Sequence, residues 1–556
     1  MASTRAPLSP PELAPPALYD DFVARHLPPR SAWPELATGA PELALPKRFN
    51  AAAWLIDRAV EDGEGERVAV MSDQASLTYR GLKDRSDGIA TLLVEREGLI
   101  PGNRVLLVGR NGVMLAAAWA GIVKAGGIVV AAMPMLRAGE LNVLIDKAAI
   151  THAIIDTGSR EGFDGLERPD LKAWFYDGDA GTGALEAALE GIGPCRVPAD
   201  TRAEDPALIA FTSGTTGNPK ATVHFHRDLI YPAICFAGPM LAPRPGDVWT
   251  GTPPLAFTFG LGGLLLFPLY FRGTALMLTD ASPAGMLAAI ERHRVTMLFT
   301  APTAYKAMLA HGTAGHDLGS LRGCVSAGEH LPEATWRAWR EATGLELVDG
   351  IGATEMMHIF IAASGADIRP GATGRALPHY QACVLDDDGK PLSSGVGRLA
   401  VKGPTGCRYL DDTRQAAYVV NGWNVTGDTY RLDDQGYFWY LARADDMIIS
   451  SGYNIAPPEV EAALLSHPAV AECAVVGAPD PARGTVVKAV IVLAEDAAAG
   501  EELVLALQDY VKARIAPYKY PRLITFVPSL PRTATGKIQR HLLRQADPRG
   551  VAPPKP

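Results

Sequence analysis

The sequence predicts an α/β protein with a large N-terminal domain of mixed, mostly parallel sheets, a smaller β-rich unit and a small α+β C-terminal domain. From Phe49 onward, apolar strand-like runs alternate with helix-like segments, a pattern typical of parallel sheets covered on both faces. Residues 397–403 indicate a strand of the β-rich unit. After Asp446 the elements shorten to a mixed pattern of helices and strands, which predicts a separate small domain.

The length and the charge of the chain limit the classes of protein to which it can belong. A chain of 556 residues is too long for one core, and at about 100–200 residues per domain it predicts three or four units. The net charge of −9 argues against a general nucleic-acid surface, so no nucleic-acid partner is expected. Six cysteines lack metal-ligand spacing, which indicates reduced thiols and a cytoplasmic protein rather than a disulfide framework or a zinc site.

No membrane segment is expected. The first 45 or so residues are rich in proline and predict an irregular arm that caps the domain, not a secretory signal. Residues 113–136 are the most apolar stretch, but Lys124, Gly126 and Gly127 interrupt it. A buried helix followed by a buried strand explains it better than a membrane span of about 20 apolar residues.

The regular elements follow in order along the chain. Helices are predicted at residues 113–124, 458–466 and 501–515, and the segment 224–228 is expected to open another. Strands are predicted at residues 105–109, 127–132, 153–155, 207–211, 323–325, 345–349, 397–403, 471–477 and 486–493.

One polar stretch, TSGTTGNPK at residues 212–220, follows the apolar run 207–211. Its glycines let backbone N–H groups turn towards an anion, its hydroxyls add donors and Lys220 adds a positive charge. The spacing is not that of a P-loop. A simple turn between strands is the alternative, but the whole set predicts a polyphosphate site formed by Thr212, Ser213, Gly214, Thr215, Thr216, Gly217 and Lys220.

This stretch resembles the signature loop of the adenylate-forming superfamily, which includes acyl-CoA synthetases, firefly-type luciferases and peptide-synthetase adenylation domains. The resemblance continues over nearly the whole chain. It implies ATP, Mg²⁺ and coenzyme A as cofactors, with Lys220 on the β and γ phosphates. Relatives commonly carry glycine where this chain has Ala221, so a negative φ is expected there.

Two further polar stretches follow predicted strands, at residues 326–329 and 350–355. Ligands of open α/β sheets bind at the carboxyl ends of strands. The resemblance implies adenine contacts from Gly328, Glu329, Asp349, Gly350 and Thr354. It also implies that Glu355 and Thr216 hold Mg²⁺, which suits an ion that prefers few carboxylates plus phosphate oxygens. Without the resemblance, Thr354 and Glu355 would be interpreted as a helix N-cap.

Residues 423–428 resemble the family segment on the ribose side of the nucleotide, whose aspartate bonds the two ribose hydroxyls. One carboxylate can accept both of those hydrogen bonds. The resemblance assigns this role to Asp428 and places Arg443 beside the ribose and phosphate. It makes Asp445 the hinge between an N-terminal domain of residues 1–444 and a mobile C-terminal domain of residues 445–556.

The C-terminal domain carries two further resemblances. Residues 450–454 resemble the stretch that meets the pantetheine arm of coenzyme A, which implies Ser451, Gly452 and Tyr453. Residues 531–538 resemble the last family signature, in which Lys537 is the catalytic lysine of adenylation. Taken alone, a Gly-Lys pair before a helix is commonly only a cap.

The acyl pocket is expected from Phe257, Phe259 and Gly260, where aromatic and small residues alternate and can hold a flat apolar ligand. An aromatic stripe is more often simply core. The run EMMHI, with His358 and Ile359, resembles the benzoate- and 2-aminobenzoate-CoA ligase branch and implies a small aromatic acid as substrate. Benzoate ligases commonly carry lysine at the position of Ile449, so 2-aminobenzoate is preferred, with benzoate or a substituted benzoate second.

The implied reaction joins the acid to AMP, releases pyrophosphate, and then passes the acyl group to coenzyme A. Loading of a separate carrier protein stays open, whereas a fused carrier is not expected after residue 546. A luciferase-type oxygenase and a nucleotide-binding homologue without activity are competing interpretations of the same motifs. The oligomeric state also stays open, with a homodimer as one option.

Overall fold

The computed structural model describes residues 18–192, 198–212, 219–443, 446–450, 453–480, 484–515, 517–532 and 538–545. Within these ranges the α-helices, in chain order, are α1 (Phe22–His26), α2 (Ala51–Glu61), α3 (Tyr79–Thr91), α4 (Val113–Lys124), α5 (Ala138–Ala148), α6 (Arg160–Asp164), α7 (Ala184–Glu190), α8 (Gly238–Leu241), α9 (Thr258–Leu261), α10 (Phe267–Tyr270), α11 (Pro283–His293), α12 (Pro302–His311), α13 (Glu333–Thr343), α14 (Gln415–Tyr418), α15 (Pro457–Leu465), α16 (Glu501–Arg514) and α17 (Arg540–Gln545).

The strands are β1 (Val68–Met71), β2 (Ser76–Thr78), β3 (Arg104–Val108), β4 (Ile128–Ala132), β5 (His152–Asp156), β6 (Lys172–Tyr176), β7 (Pro206–Thr212), β8 (Lys220–Phe225), β9 (Val248–Gly251), β10 (Thr274–Leu276), β11 (Met297–Thr300), β12 (Gly323–Ala327), β13 (Leu347–Gly352), β14 (Ile359–Ala362), β15 (Arg375–Ala376), β16 (Gln381–Leu385), β17 (Pro391–Leu392), β18 (Gly395–Lys402), β19 (Val419–Val420), β20 (Trp423–Leu432), β21 (Phe438–Arg443), β22 (Ile448–Ser450), β23 (Tyr453–Ile455), β24 (Val470–Asp480), β25 (Gly484–Leu493) and β26 (Leu523–Phe526).

Two large sheets form the body of the protein. One has the strand order β15-β14-β13-β12-β11-β9-β10-β1-β2, with parallel pairing from β13 to β1 and antiparallel strands at both edges. The other has the order β6-β5-β3-β4-β7-β8 and is parallel except for β8. In each sheet the parallel strands have their carboxyl ends on the same side, and a ligand site is expected in the loops that follow those ends.

The remaining strands form smaller sheets. An antiparallel sheet of order β17-β16-β18-β20-β19, with β21 paired to β20, is the β-rich unit. The strands β24, β25 and β26, with the hairpin β22-β23 and the helices α15 and α16, form the C-terminal α+β unit. The predicted fold class is confirmed.

The apolar stretch at 113–136 forms the buried helix α4 and the strand β4, and its lysine is buried with them. The whole of α4 is buried, and the Nζ atom of Lys124 at its end lies 2.6 Å from Asp57 Oδ1 and 2.6 Å from Asp87 Oδ1. A buried ammonium is tolerated only when it is paired, and the two carboxylates come from α2 and α3. No helix in the described part of the chain is long and apolar enough to cross a membrane.

One predicted element differs. The sequence predicts that residues 224–228 open a helix, but His224 and Phe225 still belong to strand β8. The helical turns begin at His226, with a 3₁₀ turn at His226–Leu229 and a π-helical turn at Ala233–Ala237 before α8. The reason is pairing on both sides of β8. Strand β7 bonds one edge of it, and Arg408 O accepts Val223 N at 2.9 Å on the other, so the backbone stays extended to Phe225.

Candidate active site

The predicted phosphate stretch joins two neighbouring antiparallel strands. Strand β7 ends at Thr212 and β8 begins at Lys220, and these two residues are paired in the hairpin register. Ser213, Gly214, Thr215, Thr216 and Gly217 lie outside the described residues. Thr212 and Lys220 therefore flank the loop at one end of the six-stranded sheet.

A tyrosine lies between the lysine and the predicted metal-binding carboxylate. Lys220 Nζ donates to Tyr409 Oη at 3.4 Å, and the ammonium is 5.2 Å from the Tyr409 ring centroid. Tyr409 Oη in turn donates to Glu355 Oε1. Glu355 is 8% exposed, in a short turn at Thr354–Met356 just beyond β13. Sequence reasoning did not identify Tyr409, because the residue is 189 positions from Lys220 and has no local signature.

The segment around Tyr409 continues the sheet beyond β8. Thr222 and Tyr409 form an antiparallel bridge, and Leu410 N donates to Ala221 O at 2.8 Å. The Gln415 side chain accepts from Tyr409 N at 2.9 Å, which fixes the backbone of the segment from the other side. Tyr409 is thereby held against the strand that carries Lys220.

A buried charged pair supports the same strand from behind. Arg408 Nη1 lies 2.8 Å from Asp228 Oδ2, and both side chains are fully buried. Burial alone would raise the pKa of Asp228, but Arg408, together with His224 and Arg227, holds that pKa below its ordinary value. His224 Nε2 lies 2.8 Å from Thr354 O, so the histidine ties β8 to the turn that presents Glu355.

The two stretches predicted to contact adenine lie side by side, as expected for segments that follow neighbouring parallel strands. Strands β12 and β13 are parallel neighbours, with Ala327 opposite Gly350. Gly328 follows β12 with φ +89°, a conformation that favours glycine, and Glu329 is half-buried beside it. At Gly350 a Cβ atom would come within 2.8 Å of the Ile359 side chain, so only glycine fits.

Asp349 and Thr354 complete the predicted adenine side. Asp349 lies on β13, and burial of its carboxyl raises its pKa well above the ordinary value. Its Oδ1 atom has no hydrogen-bond partner within the described ranges. Thr354 starts the short turn that carries Glu355, so the adenine and metal predictions fall on adjacent residues.

The predicted ribose residues are paired across neighbouring strands. Asp428 on β20 lies opposite Arg443 on β21, and Arg443 Nη1 is 3.4 Å from Asp428 Oδ1. Gly427, with φ +80°, lets the Arg443 guanidinium pack closely against the backbone, since a Cβ at this position would lie 3.2 Å from Arg443 Nη2. The structure therefore brings the two side chains together, although they are 15 residues apart.

The predicted acyl pocket is an aromatic cluster centred on His358. The ring centroid of His358 is 4.6 Å from that of Phe267, 5.4 Å from Phe236, 5.6 Å from Phe259 and 6.5 Å from Phe299. We refer to these five residues as the ring cluster. They come from separate segments of the chain, and Phe236, Phe267 and Phe299 were missed because isolated phenylalanines are typical of any core.

Two glycines make room for the cluster. At Gly262 a Cβ atom would lie 2.8 Å from His358 Nε2, and at Gly263 it would lie 2.8 Å from Phe299 Cγ. His358 Nε2 is 3.4 Å from Phe259 O, and burial lowers the pKa of His358 to about 3. The imidazole is therefore neutral at pH 7. Its Nδ1 atom is buried with no hydrogen-bond partner in the described part of the chain.

The other acyl residues border this cluster. Phe257 is half-buried just before α9, and Ile359 packs instead against Gly350 on the adenine side. A Cβ at Gly260 would lie 2.7 Å from Pro253 O, so glycine allows α9 to approach the preceding loop. Asn111 fixes that loop, since its Nδ2 donates to Pro253 O at 3.0 Å and its Oδ1 accepts from Leu255 N at 2.8 Å.

Most of the C-terminal predictions fall outside the described residues, namely Asp445, Ser451, Gly452 and Lys537. Tyr453 begins strand β23, which pairs with β22. Arg540, at the start of α17, bonds Glu461 Oε1 at 2.7 Å, and Arg544 forms an ion pair with Asp446 next to the predicted hinge. Lys306 Nζ donates to Ala471 O at 2.9 Å, a contact from α12 to the C-terminal unit.

Comparison with known proteins gives two family matches. Residues 56–408 match the AMP-binding enzyme family, and residues 459–537 match the AMP-binding enzyme C-terminal domain. A benzoate–CoA ligase of Thauera aromatica is 37% identical over 515 residues, which covers 91% of this chain and 98% of the relative.

Solved structures agree with these matches. An anthranilate CoA ligase in complex with anthranoyl-AMP superposes with a TM-score of 0.86 at 33% identity, covering 91% of this chain and 99% of that one. A benzoate CoA ligase from Burkholderia xenovorans superposes with a TM-score of 0.81 at 32% identity, covering 89% of this chain and all of that one.

Proposed function

Since the chain belongs to the AMP-binding enzyme family and is an AMP-forming acid–thiol ligase, we propose that its acid is aromatic and that 2-aminobenzoate is its substrate. The enzyme would adenylate the carboxylate with ATP and transfer the acyl group to coenzyme A. The relatives named as benzoate–CoA and anthranilate CoA ligases support an aromatic acid, because anthranilate is 2-aminobenzoate. Benzoate is the second candidate, supported by the Thauera relative.

The observation that carries the proposal is the ring cluster. Its four phenylalanines lie at centroid separations of 4.6–6.5 Å from the His358 ring, and Phe259 is the member that is only half-buried. Aromatic pairs favour tilted and edge-to-face contacts in this distance range. A flat benzoate ring suits such surroundings, whereas a long flexible acyl chain would gain no comparable contacts from them.

The amino group favours 2-aminobenzoate over benzoate. If the Nε2–H of His358 donates to Phe259 O, the Nδ1 atom carries no proton and is an acceptor. A buried acceptor without a partner costs free energy. The ortho-amino group of the substrate has N–H donors that can bond it, and benzoate has none.

The phosphate side has residues of the required chemistry. We assign the β and γ phosphates to Lys220 and the hydroxyl-rich loop that begins at Thr212. Glu355 fits a site for Mg²⁺, because it is a carboxylate linked to Lys220 through Tyr409, which bonds one of its two oxygens. Bound Mg²⁺ would neutralise charge that develops on the phosphate oxygens. Thr216 is proposed as a second metal ligand.

The remaining roles are proposals on the same basis. Gly328, Glu329, Asp349, Gly350 and Thr354 would surround the adenine, and Asp428 would accept both ribose hydroxyls, with Arg443 beside the phosphate. Ser451, Gly452 and Tyr453 would meet coenzyme A. We place the domain boundary at residues 444 and 445, in the short connection between β21 and β22, which lies between the two family matches.

The reaction is tested by identifying its products. The purified protein is incubated with 2-aminobenzoate, ATP, Mg²⁺ and coenzyme A, and the mixture is analysed by mass spectrometry. We expect 2-aminobenzoyl-CoA and AMP in equal amounts, and no thioester when ATP is omitted. AMP without any thioester, with coenzyme A at saturation, would contradict coenzyme A as the acceptor.

His358 gives a prediction about selectivity. In His358→Phe the acceptor is lost while the aromatic ring stays, so the preference for 2-aminobenzoate over benzoate should fall. One neutral hydrogen bond is worth about 0.5–1.5 kcal/mol, which is roughly two- to tenfold in the ratio of the two kcat/KM values. His358→Gln, which restores an acceptor, should recover part of the preference. An unchanged ratio in His358→Phe would remove this role from His358.

A further inference from the structure

Tyr418 lies beside the proposed nucleotide site and has no role in the proposals above. It is the last residue of α14, and the next residue, Val419, pairs with Asn424 at the start of β20. This places it against the strand that carries Asp428. The side chain is 8% exposed.

The hydroxyl of Tyr418 is buried without a partner. No group in the described ranges forms a hydrogen bond to its Oη atom, and that atom is inaccessible to solvent. Its neighbour Tyr409 differs, because it is hydrogen-bonded to Glu355 and Lys220. A buried phenol without a partner is unfavourable, and a ligand bound beside it can supply the missing acceptor.

The surroundings of Tyr418 are charged. Its ring contacts that of Tyr409 at 5.7 Å between centroids, and Lys220 Nζ lies 6.0 Å from its centroid. Burial first, then the carboxylates of Glu355 and Asp428, raise the pKa of Tyr418 well above its ordinary value, while Arg443 lowers it. The phenol therefore keeps its proton, so its hydroxyl is a hydrogen-bond donor that needs an acceptor.

We propose that the Tyr418 hydroxyl donates a hydrogen bond to a phosphate oxygen of the bound nucleotide. The acceptor should be anionic, because the Lys220 ammonium faces the same ring and attracts phosphate to this side. The ribose is a weaker candidate, since Asp428 is proposed to accept from its diol. This inference rests on the proposed function only in that the site binds a nucleotide.

The test uses Tyr418→Phe, which removes the hydroxyl and keeps the ring. Affinities for ATP and for adenosine are measured by calorimetry, and Tm is measured without nucleotide. We expect the Kd for ATP to rise about tenfold or more, as for a hydrogen bond to a charged group. The Kd for adenosine should not change. The Tm should stay equal or rise, because the variant removes an unpaired buried group.

Tyr176→Phe is the matched control. Tyr176 is 1% exposed and its hydroxyl also has no described partner, but it lies on β6, at the opposite edge of the sheet from β8. The control should show the same equal or higher Tm, with unchanged Kd values for ATP and for adenosine.

Three results would overturn the proposal. A wild-type affinity for ATP in Tyr418→Phe would rule out the hydrogen bond to phosphate. A lower Tm in the same variant would show that the hydroxyl already bonds the protein. An equal loss for adenosine would move the contact to the nucleoside. Wild-type protein that binds ATP yet forms no acyl-CoA would count against the proposed function alone, because the Tyr418 comparison needs only nucleotide binding.

Discussion

Lys537→Ala is expected to slow adenylation of the acid by about 10²–10³-fold, because one preorganised donor is lost from a transition state that gains charge. The lysine belongs to the domain proposed to rotate between the two steps, so its role should be confined to the first. Conversion of supplied acyl-adenylate and coenzyme A to acyl-CoA should continue near the wild-type rate. Paired single-turnover assays, one from acid with ATP and one from acyl-adenylate with coenzyme A, measure both rates.

Lys519→Ala is the matched control for this variant. Lys519 is a lysine of the same domain that bonds Glu459 Oε2 at 2.6 Å, and no role in catalysis is proposed for it. Both half-reactions should stay unchanged in the control. Equal losses in the two half-reactions of Lys537→Ala, with folding intact, would contradict the alternation of the C-terminal domain between two poses.

Asp428→Ala should raise the KM for ATP about tenfold or more, because a charge-assisted hydrogen-bond acceptor is worth about 1.5–3 kcal/mol. Asp428 lies 3.4 Å from Arg443, so the variant also leaves a guanidinium without this carboxylate. The KM for the acid should change much less. Initial rates over a range of ATP concentrations measure the effect.

The control for Asp428 is another aspartate of the same strand pair. Asp433, in the turn between β20 and β21, accepts hydrogen bonds from Tyr437 N and Trp439 Nε1 at 2.9 Å each. Asp433→Ala should lower Tm and leave the KM for ATP unchanged. A wild-type KM in folded Asp428→Ala would remove the aspartate from the ribose site.

Much of the fold could be predicted from local patterns. Helix α4 begins and ends at the predicted residues, because a continuous apolar run between glycines favours one buried helix. The strands that precede the two adenine stretches were also found, and their parallel pairing brought Ala327 and Gly350 together. The helix predicted to open at residues 224–228 begins only at His226, because the segment at Arg408, which is far away in sequence, pairs with the outer side of β8 and keeps it extended to Phe225.

The site could be predicted only where a motif marked it. Lys220 and Glu355 stood out by resemblance, but Tyr409, which bonds both, carries no motif. The same holds for Phe236 and Phe267, which contact His358 yet look like ordinary core residues in the sequence. Contacts between distant segments depend on how the sheets pack, and periodicity within one segment carries no information about that.

The acid substrate is proposed to be aromatic. The most direct test is kcat/KM for CoA-dependent AMP release with 2-aminobenzoate, benzoate, acetate and palmitate, at saturating ATP and coenzyme A. The ring cluster around His358 predicts that both aromatic acids exceed both aliphatic acids, with 2-aminobenzoate first. A higher kcat/KM for palmitate than for either aromatic acid would contradict an aromatic substrate.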